Sequence, residues 1–247
     1  MSKLVRISSD SRLSFGPSST SDFSVYMGNG SNIEKVRRIV LKNAIFPNIF
    51  YNIQSGINDI LSLQQNAQSL TSIMIAPGYY TTIQLASALQ SAINSVLVAA
   101  TVTVTLDPLL YRFQFVYSGS TVKLFLTGST MNKAIGIQSD DTSFVSSRLL
   151  EGIPDLRGVI EIFVVSRSMS QGNLIEPDKV RDVIASIPIT APFLGLNIYE
   201  SVNETNNSIE YNAPTDLRNI DIRLEDSNGR LVDLQNHRSQ FVFKIYT

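Results

Sequence analysis

The 247-residue chain has no cysteine and one histidine, His237. Without cysteine there is no disulfide framework, no thiolate metal site and no cysteine nucleophile. A lone histidine excludes a two-histidine metal centre, and His237, between Asn236 and Arg238 in a polar connection, reads as a surface residue. Charge is also scarce, at 17% of residues with a formal net charge of −1. That balance gives no broad attraction for a phosphate backbone and argues against nucleic acid as a specific partner. The most notable basic cluster, Lys35, Arg37 and Arg38, reads as the wet face of a strand. No uninterrupted apolar run reaches bilayer length, so no membrane span is expected. The polar start Met1-Ser2-Lys3-Leu4 shows no secretory signal. The sequons at Asn29, Asn203 and Asn206 then read as chance matches in Asn-rich loops.

The catalytic inventory is equally thin. No G-x-S-x-G, Walker A or dinucleotide fingerprint is present. Paired carboxylates suffice for glycoside hydrolysis, so the carboxylates need separate attention. Asp140-Asp141 is adjacent and loop-like, while Asp221 and Glu225 lie on the polar side of a strand; these read as solvated faces and turns. Glu161 stands in an otherwise apolar strand, where burial would require a partner, an arginine for preference, or a raised pKa. Asp226-Ser227-Asn228-Gly229 lacks the repeated acidic ligands and distal glutamate of a calcium loop and reads as a turn. The aromatic row Tyr111, Phe113, Phe115 and Tyr117 fits one buried strand face better than a carbohydrate groove. Sequence reading therefore assigns no catalytic, cofactor-binding or metal-binding residue.

What the chain does have is period-2 alternation. Val102, Val104 and Leu106 alternate with threonines; Tyr111–Tyr117 alternates next; Val122, Leu124 and Leu126 follow after Ser118-Gly119-Ser120. Three such strands with tight turns predict a meander. Phe23, Val25 and Met27 form another alternating set. Ile39, Leu41 and Ile45 share one parity, and Ile220, Ile222, Leu224 and Phe241, Phe243, Ile245 repeat the pattern. Val159–Val165 is apolar at nearly every position and predicts a central, doubly covered strand. One helix is expected at about 82–96, with Thr81 and Gln84 at capping-box spacing and Leu85, Leu89, Ala92, Ile93 and Val96 on one face. A shorter helix is expected over Met131–Ile135, and a type II turn at Ala76-Pro77-Gly78. Residues Gln54–Leu70, Gln138–Gly158 and Ser166–Lys179 carry few periodic cues and read as long loops, candidates for partner contacts. The fold class that follows is all-β: an antiparallel sandwich or jelly roll with one short amphipathic helix. With no composition shift to mark a boundary, residues 1–21 read as an extended arm and 22–247 as one domain.

Several of these segments, in order, resemble the penton-type minor capsid proteins of virophages, polintons and related large DNA viruses. Leu4–Arg12 followed by Asp22–Val25 is similar to their N-terminal arm and first strand. Val36–Asn52, with Ile45-Phe46-Pro47-Asn48, resembles the next strand and its exit. Ile73–Thr81 leading into Leu85–Gln90 resembles their strand, Pro-Gly-x-Tyr and helix unit, and Ile220–Gly229 through Phe243 their closing hairpin. The resemblance implies a single jelly roll forming a homopentamer at the fivefold vertices of an icosahedral virion. Assembly in the host cytoplasm or virus factory would suit a chain without cysteine. It also implies partners, namely further copies of itself and neighbouring major capsid capsomers, with the arm reaching a neighbour. At this length no separate insertion domain is expected. A carbohydrate- or receptor-binding jelly roll of a virion is the alternative, and a carboxylate glycosidase a weaker one, because jelly rolls host all three.

Overall fold

A computed structural model describes residues 1–11, 19–26, 32–66, 68–169, 174–176, 179–204 and 208–247. In chain order the strands begin with β1 (Ser2–Ser8), β2 (Asp22–Tyr26), β3 (Ile33–Pro47), β4 (Ile60–Gln65) and β5 (Thr71–Met74). Helix α1 (Thr82–Asn94) follows, then β6 (Thr101–Leu106), β7 (Phe113–Ser118), β8 (Val122–Phe125), helix α2 (Asn132–Ile135) and β9 (Ser147–Leu149). The chain continues as β10 (Glu161–Val165), β11 (Leu174–Glu176), β12 (Lys179–Arg181) and β13 (Val183–Pro188). It closes with β14 (Leu196–Glu200), β15 (Ser208–Leu217), β16 (Asn219–Glu225) and β17 (Gln240–Tyr246).

These elements belong to two compact units, Met1–Phe50 with Val159–Thr247, and Tyr51–Gly158. In the first unit one sheet runs β1-β17-β3, with β14 and β15 lying end to end along the far edge of β3; the other runs β13-β10-β16-β2. We count β14–β15 as one interrupted strand and set the β11–β12 hairpin aside. The eight strands, in chain order, then form sheets 1-8-3-6 and 5-4-7-2, with every pairing antiparallel. That is a jelly roll. Its core joins both sheets: Ile7, Leu41, Phe46, Phe241 and Phe243 from one, Phe23, Ile162, Val164, Ile222 and Leu224 from the other.

The second unit is inserted between the third and fourth jelly-roll strands and has its own core of Leu61, Leu63, Leu85, Leu89, Phe113, Phe115, Val122, Leu124 and Ile135. The capping box on α1 forms as expected, with Thr81 Oγ1 accepting from Gln84 N and Gln84 Oε1 accepting from Thr81 N. The helix then blocks the edge of β6: Val102 N donates to Asn94 Oδ1 at 2.7 Å and Val104 N to Gln90 Oε1 at 3.0 Å. Helix α2 ends on Gly136, at φ 85°.

Several expectations are revised. The single domain expected over 22–247 is divided, and the chain does carry a separate compact insertion. Two apolar cores of similar composition leave no compositional boundary. Residues 2–8 of the expected arm form strand β1, paired with β17 along their whole length, and 12–18 lie outside the described residues. The meander does not close: β7 pairs with β6 and β9, while β8 pairs with β4. Alternation fixes which face of a strand is buried, and Val122 and Leu124 are fully buried against a different neighbour than the one next in sequence. For the same reason β16 and β17 are no closing hairpin; they belong to opposite sheets. Ile45 leaves the core parity because Val242 faces Asn43 and Phe243 faces Leu41, so Lys42 is an extra, bulged residue. Beyond it Ala44 and Phe46 point inward instead. Gly78 is not in the left-handed region a type II turn requires; it forms a bridge with Ile53. The three long loops contain β4, β9 and β11. Strand β10 is central in its sheet, but with Phe163 half-buried only the Ile162 and Val164 face is closed.

Candidate assembly surfaces

On the outer face of the β1-β17-β3-β14 sheet, apolar and charged residues separate along the strands. Register sets Leu196 opposite Pro47 and Ile198 opposite Ile45, while Asn197 is buried and Tyr199 packs on the core. Leu196 and Ile198, on the outermost strand, are left 55% and 59% exposed. They form an exposed apolar pair on the sheet edge. Farther along β3 and β17 the face is ionic. Glu204 accepts from Lys42 Nζ at 3.3 Å, from Lys244 Nζ at 3.0 Å and from the Tyr246 hydroxyl. Arg38 donates to the Glu204 carbonyl, and Arg38 and Lys244 both sit over the Tyr246 ring. The Tyr246 hydrogen bond, followed by those from Lys244 and Lys42, holds the Glu204 carboxyl at about 2. Of the basic cluster read from sequence, Lys35 and Arg37 are exposed, whereas Arg38 belongs to this network.

On the other sheet, Asp221 was expected on a solvated face and instead anchors a turn. Its carboxylate accepts from Ser166 Oγ (3.0 Å), Arg167 N (2.9 Å) and Ser168 N (2.8 Å), and Asp221 N donates to Ser168 Oγ. Burial raises its pKa, but these donors outweigh burial and hold it below the ordinary carboxylate range. Met169, next along, is fully buried and its carbonyl accepts from the Tyr211 hydroxyl at 2.6 Å. Glu225 pairs with Arg223 at 2.9 Å.

The remaining candidates stay apart. His237 is exposed in a turn, its Nδ1 near the carbonyls of Leu234 and Gln235. Asp226 closes the expected turn by accepting from Asn228 N and Arg230 N, and pairs with the Arg230 side chain. Asp140 and Asp141 diverge: Asp140 binds Thr127, while Asp141 accepts from Leu124 N and meets Arg148 at 3.0 Å. Glu161 is half-buried and accepts from Ser186 Oγ rather than sitting in a closed core. Phe113, Phe115 and Tyr117 are buried in the core of the insertion, as expected for one strand face; Tyr111 is not part of the strand. Asn29 and Asn206 lie outside the described residues. Among the described residues no three His, Asp or Glu side chains gather where a metal ion could be held.

Two features of the insertion had no sequence signal. Asn52, fully enclosed, ties its two ends together: Nδ2 donates to Tyr80 O (2.8 Å) and Leu156 O (3.1 Å), and Oδ1 accepts from Tyr80 N (2.8 Å). Gly158, at φ +67°, lies so close that a Cβ there would be 3.3 Å from Asn52 Cα. Between β6 and β7, Leu109, Leu110 and Tyr111 stand 87%, 47% and 61% exposed at a hairpin tip.

No family model and no curated protein matches the chain. Among solved structures, the chain matches a crystal structure of the mavirus penton protein with a TM-score of 0.57 and 9% identity, over 100% of this chain and 99% of that one. A flagellar cap protein, FliD from Escherichia coli, is also matched, at a TM-score of 0.20 and 10% identity over 99% of this chain and 55% of that one. From end to end, the chain has the all-β, penton-like jelly-roll fold of the mavirus protein.

Proposed function

We propose that this chain is a non-enzymatic capsid protein that assembles as a homopentamer and occupies the fivefold vertices of an icosahedral virion. The observation that carries this reading is the fold match over the full length of both chains, insertion included. A fivefold ring needs two different patches per subunit that meet head to tail and close. The exposed row of Leu196 and Ile198 on the outermost strand β14 supplies suitable material for one of them. The N-terminal arm, 1–21, is the part we assign to neighbouring capsomers, although residues 2–8 also pair with β17 of their own subunit. Within that arm, Ser9 N donates to Ser239 O and Thr20 O accepts from Ser239 Oγ. Of the aromatic row that would line a glycan groove, Phe113, Phe115 and Tyr117 are buried in the core and Tyr111 alone is exposed, which favours the capsid reading over the carbohydrate-binding alternative. The test is the symmetry of the purified full chain by mass photometry and negative-stain imaging. Rings of five copies are expected; a monomer that persists at the highest soluble concentration overturns the reading.

A further inference from the structure

We propose that copies of this chain join edge to edge, with Arg6 on strand β1 of one copy against Glu200 on strand β14 of the next. This contact rests on the homopentamer reading above and supplies the second patch that a ring requires. β1 and β14 are opposite edges of one sheet, β1-β17-β3-β14, and among the described residues no strand pairs with either on its outer side. Register identifies the free backbone groups. Met1 and Thr247 exchange both backbone hydrogen bonds, at 3.1 and 3.0 Å, so in this antiparallel ladder the odd-numbered residues of β1 bond to β17. Ser201 N donates to Lys42 O and Asn48 N to Gly195 O, which gives β14 the same odd-numbered set. Ser2, Leu4 and Arg6 on one edge, and Leu196, Ile198 and Glu200 on the other, therefore turn their N–H and C=O groups outward.

Charge selects what meets these edges. β1 carries Lys3 and Arg6 and no acid, whereas β14 and β15 carry Glu200, Glu210 and Asp216 and no base. Two β1 edges, or two β14 edges, would oppose like charges, which disfavours the pairing of identical edges. The cross-strand rows favour the unlike pairing. Arg6 faces Val242, Val242 faces Asn43 and Asn43 faces Glu200, so the two charges stand at opposite ends of one row. Another row runs Ser2, Tyr246, Arg38, Glu210, which puts Lys3 one residue from a row that ends in an acid. A copy set alongside at the same height brings Arg6 directly opposite Glu200 and Lys3 close to Glu210. Arg6 and Glu200 are both exposed, and among the described residues neither has an ion-pair partner in its own subunit. A contact between unlike edges passes head to tail from copy to copy, the form a closed ring needs.

Within one subunit three strand spacings, about 14 Å, separate Arg6 from Glu200, so the two can compensate for each other only between copies. Mass photometry of the full chain reads the effect. Arg6→Glu and Glu200→Arg are each expected to raise the concentration at which rings form by about tenfold, since attraction gives way to repulsion at every contact. Combining Arg6→Glu with Glu200→Arg is expected to restore the rings of the parent, which a folding defect would not allow. Rings that form in both single variants as in the parent overturn this contact and leave the homopentamer reading standing. So does a double variant that assembles no better than the single ones. A parent that stays monomeric overturns both.

Discussion

Replacing Asp221 by asparagine keeps the size of the side chain and removes its charge, which makes it a sharp probe of how the turn at 166–169 is held. The carboxylate accepts three hydrogen bonds, at 3.0, 2.9 and 2.8 Å. Bonds to a charged acceptor contribute about 1.5–3 kcal/mol each. Asparagine with its oxygen in the place of Oδ1 keeps the bonds from Ser166 Oγ and Ser168 N in weaker, uncharged form and turns its amide toward Arg167 N, so one bond is lost and two are weakened. Because Asp221 keeps part of its surface in water, the sum is discounted by roughly half, to about 2–3 kcal/mol. In thermal unfolding this corresponds to about 4–12 °C for a chain of this size. The sign with pH follows from the depressed native pKa. The contribution is fully present above the ordinary aspartate value of about 4 and is lost as pH falls through the lower folded value. Asparagine does not titrate, so the gap between Asp221→Asn and the parent should close on acidification. Urea unfolding at pH 7 and at stepwise lower pH measures both effects. A loss below about 0.5 kcal/mol at pH 7 would refute the claim that this carboxylate anchors the turn.

Gly136→Ala should destabilise by at least about 2 kcal/mol, since it strains a left-handed residue and sets a methyl against backbone. The added Cβ would lie 2.2 Å from the Gly152 carbonyl oxygen. Gly56→Ala, with similar φ and open space, isolates the strain alone at about 1 kcal/mol, and calorimetry of the two separates clash from conformation. For Glu204, side-chain NMR titration should give about 2 in the parent and a clear rise toward the ordinary value in Tyr246→Phe, because the tyrosine hydroxyl is the leading cause of the depression. An unchanged Glu204 titration in that variant would remove Tyr246 from the network.

Faces were legible in the sequence; partners were not. The alternation of Val102, Val104, Phe113, Phe115, Val122 and Leu124 correctly marked buried sides, and every one of these residues is in the core. Which strand lies beside β8 depends on contacts distant in sequence, to which a two-residue period is blind. Strand β4 escaped notice because it is buried on consecutive positions: Leu61, Ser62 and Leu63 are all enclosed, and a polar residue inside breaks the pattern. Ile45 was misplaced by a single bulged lysine. The start of α1, by contrast, was readable because a cap is local chemistry between Thr81 and Gln84, whereas its end, expected near 96, falls at Asn94. Asp221 looked solvated because alternation places it on an outer face, and only the return of Ser166–Ser168 across that face gives the carboxylate its donors.

The closure at Asn52 has a consequence for how such a chain can vary. Where the first and last residues of an inserted segment already touch, the segment resembles a bead threaded on a loop, and its length is decoupled from the spacing of the strands that flank it. Material can be added to or removed from Tyr51–Gly158 without a change of register in β3 or β10, provided the asparagine clasp is kept. A chain carrying this clasp can vary its insertion while the eight-strand frame stays the same.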